Sequence, residues 1–259
     1  MATRGVGRIL CGLVALVLSA CSTGRERALE RVVVVGASMS AGFALDVEVG
    51  RLVSMGDVVD RALTAEHAPV VTVADMFFFM QPRTIGEGIA TKALEARPTL
   101  LVALDFLFWY GYGRVGDEGE RVVRVEEGLR LLERFDCPIV VGDLPDMSES
   151  IGRMLSADQV PSPQMRARLN ERIRAWALTR GATVVPLAET VEKLRTGGAV
   201  RGGRRAYEGA SAKALLQGDR LHPTLEGLAC VVVMALETFM EGRAAGYRDD
   251  PQAIAAALR

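Results

Sequence analysis

The stretch VVVVGASMSAG, residues 32–42, decides how the rest of the chain is read. Four consecutive valines are enough for a short strand and too few for a helix. An apolar run without alternation suits a strand buried on both faces, as in a parallel sheet. Gly36 and Ala37 permit a sharp turn at its end, and Ser38 opens a run of small residues. On these residues Ser38 is either a nucleophile at the carboxyl end of a buried strand or a small residue in a turn.

Runs of the same character recur at Val70–Val73, Thr99–Leu104, Pro138–Val141 and Thr183–Val185, so with Val32–Val35 they predict five strands. Helical patterns at Gly50–Thr64, Ile85–Glu95, Glu118–Phe135, Pro163–Thr179 and Thr224–Met240 lie between and after them, several opened by Ser, Asp or Pro. This alternation implies an α/β fold: a parallel sheet with helices on both faces and right-handed crossovers. Ligands of such sheets bind outside the carboxyl ends of the strands, which places chemistry in the loops that follow them. The glycines and clustered arginines of Thr196–Leu216 read as a mobile surface loop, either a solvated connector or a flap over the site. One domain over residues 31–241 is expected, with a short polar linker at 21–30 and a partly helical tail at 242–259.

The chain has 259 residues, 49% apolar and 24% charged, enough to fill one core and unlike a disordered segment. Its 31 basic and 32 acidic residues nearly cancel, which argues against nucleic acid as a partner. At the N-terminus Arg4 and Arg8 precede the apolar run Ile9–Leu18, which leads into Leu18-Ser19-Ala20-Cys21. A basic start, a short apolar stretch and small residues before a cut make residues 1–20 a signal peptide. Their removal takes away Arg4 and Arg8 and no acid, so nothing basic draws the mature chain onto anionic lipid. Cys137 and Cys230 remain beyond Cys21. An exported compartment permits them to pair, but their apolar surroundings favour two buried free thiols.

The tetrapeptide ending in Cys21 resembles the lipobox of bacterial lipoproteins. That resemblance implies a diacylated Cys21 as the mature N-terminus, anchored in a membrane of the cell envelope. Ser22 in place of an aspartate after the cysteine implies the outer membrane. An ordinary cleaved signal, or an uncleaved anchor with an incidental cysteine, is the alternative.

Acid–base chemistry is easy to localise, because His67 and His222 are the only histidines. His67 precedes a strand and belongs to the edge of the sheet opposite the ligand side. His222 lies in Asp219-Arg220-Leu221-His222-Pro223, just ahead of a long helix. One irregular turn there can aim Asp219 at one imidazole nitrogen and leave the other to take a proton from a hydroxyl. A helix N-cap explains the same residues without chemistry.

Together with Gly36-Ala37-Ser38-Met39 after the first strand, this pattern resembles the SGNH, or GDSL-like, esterases and lipases. The likeness runs from about Arg31 to Glu241 and includes Leu169-Asn170-Glu171, similar to the opening of the family's penultimate helix. It implies a three-layer flavodoxin-like sandwich and a triad of Ser38, His222 and Asp219, with no metal or cofactor. A carboxylic ester, such as an O-acetyl or short acyl group on an envelope glycan or lipid, is the implied substrate. Ala37 replaces the family's usual aspartate.

Two oxyanion donors of the family are missing. Ala74 stands where a glycine is usual after the second strand, with only its backbone N–H to offer. Leu104 or Asp105 stands where an asparagine is usual after the third. An ionised Asp105 would repel an oxyanion, so it is either held neutral by burial and donates, or does another job. Phe108 and Trp109, in the aromatic run Phe106–Tyr110, are candidates to line a pocket, with core packing as the alternative. Asp143 and Asp146 after the fourth strand touch substrate or cap turns. A catalytically weak SGNH-like domain that binds envelope glycans or assists assembly, an acyltransferase using the same triad, and a nucleotide-binding flavodoxin-like module remain as rival functions. The last lacks Gly-x-Gly-x-x-Gly and a Lys-Ser/Thr ending.

Overall fold

Strands β1 (Val32–Gly36), β2 (Val71–Ala74), β3 (Leu100–Ala103), β4 (Ile139–Gly142) and β5 (Thr183–Val185) form one sheet in the order β2-β1-β3-β4-β5. The structure, a computed structural model, describes residues 24–243 and 245–259; the signal peptide expected at 1–20, and Cys21, lie outside them. All neighbouring pairs of this sheet are parallel. The chain passes from β1 to β2 on one side and then crosses to β3 on the other, so the strand order reverses at β1. A crevice opens beyond the carboxyl ends at such a point, and Ser38 stands there.

Alternation along the strands divides the core into two layers. Val32, Val34, Leu100 and Val102 pack against the helices Met55–Ala62, Leu225–Phe239 and Pro251–Ala256. Val33, Val35, Leu101 and Ala103 pack against Pro82–Glu95, Glu118–Leu132 and Pro163–Arg180. The result is the three-layer α/β arrangement expected from the strand and helix pattern.

Several boundaries differ from the expectation. The helix expected over Gly50–Thr64 is confined to Met55–Ala62, because Gly50, at φ +78°, ends a separate short helix, Leu45–Val49. Ser54 opens the longer one in a reciprocal capping box with Asp57. Residues 24–28 are helical, not a polar linker, and Ala28 and Leu29 enter the core. The tail is also part of the folded unit: Tyr247 bridges to Leu63, and Ile254, Ala255 and Leu258 are buried. The domain therefore extends past 31–241 at both ends.

Thr196–Leu216 is not a mobile loop. Beyond the helix Leu187–Thr196 it forms an antiparallel hairpin, β6 (Val200–Gly202) with β7 (Arg205–Tyr207), and a short helix, Gly209–Lys213. Val200, Tyr207, Ala212, Leu215 and Leu216 bury a third apolar cluster with Leu194 and Cys230. The clustered arginines are used against the tail, Arg204 on Asp249 and Arg205 on Asp250 at 2.6 and 2.8 Å. Cys137 and Cys230 are both free and buried, as their surroundings suggested. No helix among the described residues is long and apolar enough to cross a membrane.

Candidate active site

Ser38 is the first residue of a four-residue helix that begins directly after β1. The turn that brings it there depends on Gly36: a Cβ at that position would overlap the Asp105 carboxylate and the Ser40 side chain. Ser38 Oγ lies 2.8 Å from His222 Nε2, and His222 Nδ1 lies 2.6 Å from Asp219 Oδ2. Arg220 takes a left-handed backbone conformation, φ 61°. This folds the turn so that the other Asp219 oxygen accepts the N–H groups of Leu221 and His222. Burial works to raise the Asp219 pKa, but the hydrogen bonds from the His222 ring and these two N–H groups outweigh it and hold it below the usual carboxylate range. The three residues singled out from the sequence are thus brought together in one line of contacts.

Two further residues hold that line and carried no signal in the sequence. The Phe43 ring stacks on the His222 imidazole, 4.2 Å between centroids. Gln217 donates from Nε2 to the carbonyls of Phe43 and Pro223, and from its N–H to that of His222. It ties the serine loop to the histidine loop, a junction between residues far apart in the chain.

Asp105 does not face the cleft as an oxyanion donor. It is buried beneath the Ser38 helix, where it accepts the Ser40 hydroxyl at 2.5 Å and the Ser40 N–H at 3.1 Å. Burial raises its pKa, while hydrogen bonds from Ser40 and the N–H groups of Ala37 and Met39 pull it back. Of the backbone amides of this turn, that of Ser40 bonds Asp105 directly. Of the two roles open to Asp105, the geometry gives it the second, that of fastening the turn that carries Ser38.

Ala74 ends β2 opposite Gly36 and is absent from the cleft wall. Asp75 N–H points back to the Gly36 carbonyl. Alternation therefore turns the Ala74 N–H to the outer edge of β2, away from Ser38. Trp109 lines a wide cleft of about 790 Å³ with Ser38, His222, Phe79 and Met80. Phe108 lines a separate narrow pocket of about 70 Å³ that also touches Ser38 and His222. Asp143 is committed to Arg174, 2.5 Å, and to the Ala188 N–H. Asp146 caps the Ser148 N–H. Asn170 lies in the middle of the helix Pro163–Arg180, where its side chain clasps both the N–H and the carbonyl of Leu144. His67 bonds the neighbouring Ala68 carbonyl and takes no part in the site. Among the described residues, no three His, Cys, Asp or Glu side chains gather to hold a metal ion.

The sequence matches no family model and no curated protein sequence. Solved structures do resemble this one. A lipase/acylhydrolase from Enterococcus faecalis superposes with a TM-score of 0.56 at 14% identity, over 85% of this chain and 98% of that one. An α/β hydrolase enzyme from the metagenome of Lake Arreo, Spain, superposes with a TM-score of 0.51 at 15% identity, over 82% of this chain and 95% of that one. The five-stranded parallel sheet between helical layers is therefore the α/β fold that the SGNH-type motifs implied, shared along nearly the whole length of both enzymes.

Proposed function

We propose that the chain is a serine esterase that hydrolyses carboxylic esters and is anchored to a membrane of the cell envelope through Cys21. The observation that carries this reading is the unbroken line from Asp219 through His222 to Ser38, with contacts of 2.6 and 2.8 Å. Ser38 Oγ attacks the acyl carbon as its proton passes to His222 Nε2. His222 returns that proton to the departing alcohol, leaving an acyl-serine. Water then gives a proton to the same nitrogen and attacks the acyl carbon, and the serine leaves with the proton as the carboxylic acid is released. Asp219 orients the imidazole and stabilises its charged form. The wide cleft admits water to the acyl-serine, which favours hydrolysis over acyl transfer.

The Ser38 N–H is the oxyanion donor in this reading. Loss of one donor typically slows such enzymes about 100- to 1000-fold, so slow turnover is expected. The same feature supports the rival reading of a catalytically weak envelope-binding domain, because neither Ala74 nor Asp105 presents a donor to the cleft.

The anchor favours a substrate from outside. The helix at 24–28 leads into the amino end of β1, whereas Ser38 follows its carboxyl end. The few residues between Cys21 and that helix span about 10 Å at most. An acylated Cys21 would thus hold the site facing away from its own membrane, toward an ester such as an acylated glycan.

Hydrolysis of nitrophenyl butyrate by the purified protein is the test. Turnover is expected, with a loss of about 1000-fold or more in Ser38→Ala, and a fluorophosphonate probe is expected to label the parent but neither Ser38→Ala nor His222→Ala. No turnover and no labelling would leave the binding reading. Cys21→Ser is expected to move the protein from the membrane to the soluble fraction; unchanged fractionation would remove the lipid anchor from the proposal.

A further inference from the structure

Two cavities of unlike character meet at Ser38 and His222. The wide cleft carries polar groups on its wall, among them Gln81, Gln159 and Arg83. The narrow pocket is lined by Leu104, Phe108 and Leu194, the last a residue of the third apolar cluster. Each polar side chain on the narrow wall already has a protein partner. Asp105 holds Ser40, Asp143 holds Arg174 and the Ala188 N–H, and Thr190 donates to the Pro186 carbonyl. Both His222 nitrogens are engaged. A polar occupant would leave its water behind and find no replacement hydrogen bond, a cost of a size that excludes it.

We propose that the narrow pocket is the acyl site, and that it admits a straight aliphatic chain of about three carbons beyond the carbonyl; this rests on the esterase reading above. The 70 Å³ available is about half the roughly 150 Å³ of an apolar cavity that takes up benzene, a six-carbon molecule, so it holds about three carbons. Leu194 lines the pocket, so the size of its side chain sets how much chain fits. The alcohol half of the ester is left to the wide cleft, whose 790 Å³ accommodates a larger, polar group.

The experiment compares straight-chain nitrophenyl esters from acetate to decanoate with the parent, Leu194→Ala and Leu194→Phe. In parallel, Ser38→Ala and its two Leu194 double variants are melted with straight-chain methyl ketones, which carry carbonyl and chain but no scissile bond. In the parent, kcat/KM is expected to peak near butyrate and to fall about tenfold or more by octanoate, the scale of misfit for added methylenes in an apolar pocket. Leu194→Ala should move the optimum to longer chains and Leu194→Phe to shorter ones, with the ketone stabilisation following the same order. Opposite shifts from one position cannot come from a general loss of stability. Profiles that are flat, or unchanged by both variants in both readouts, would overturn the pocket assignment. Absent hydrolysis beside a ketone profile that follows Leu194 would overturn the esterase reading and keep the pocket as an apolar-chain site.

Discussion

Asp219→Asn is expected to lower kcat for ester hydrolysis by about 10⁴-fold, or about 5.5 kcal/mol, with the fold unchanged. The amide can keep one oxygen on the N–H groups of Leu221 and His222, so the turn through Arg220 survives. What changes is the other branch. An NH2 group now faces His222 Nδ1, which must accept, and the ring proton moves to Nε2. That nitrogen then points a proton at Ser38 and cannot take one from it. Stopped-flow hydrolysis of nitrophenyl butyrate, with melting curves of both proteins, measures the two halves of this expectation. A loss below tenfold at equal stability would show that Asp219 does not set the tautomer.

Gly36→Ala is expected to cost about 3 kcal/mol of stability and to remove most activity. Overpacking of a full core typically costs about 1–3 kcal/mol, and this site lies at the upper end because little around it can yield. The new methyl would overlap Asp105 Oδ1 and the Ser40 side chain, which hold each other at 2.5 Å beneath the Ser38 helix. Gly36 does not have a left-handed backbone, so the requirement is for space and not for conformational freedom. Chemical denaturation gives the stability term, and fluorophosphonate labelling at a temperature where the variant stays folded gives the displacement of Ser38. Equal labelling rates would show that the turn has room for a methyl group.

The parts of the site that were legible in the sequence are those whose geometry is local. Ser38 follows a strand that four valines announce. Asp219 and His222 sit within one turn, so their contact depends on few residues. The sequence leaves Asp105 with two roles, because a position after a strand does not say whether its side chain faces the cleft or folds under the neighbouring turn; the fold selects the second. Phe43 and Gln217 could not be found, since their roles exist only once two distant loops meet. The narrow pocket was hidden for the same reason: Leu104, Leu194 and Leu216 come from three separate segments and look like ordinary core. The hairpin β6–β7 was misread as a loop because strands of three residues carry little periodic signal, and its glycines and arginines only find their reasons against the tail.

The line from Asp219 to Ser38 also has a kinetic side. The carboxylate and the imidazole are three residues apart, whereas the imidazole and the serine are 184 apart. Closing a loop of that length carries an entropy cost that grows slowly with length but must be met before the contact gives anything back. A refolding chain can therefore hold its sheet and still lack its proton acceptor until the segment around Gln217 docks on Phe43. Regained turnover, followed beside far-ultraviolet circular dichroism, would time the docking of the last part of the chain, separately from the formation of secondary structure.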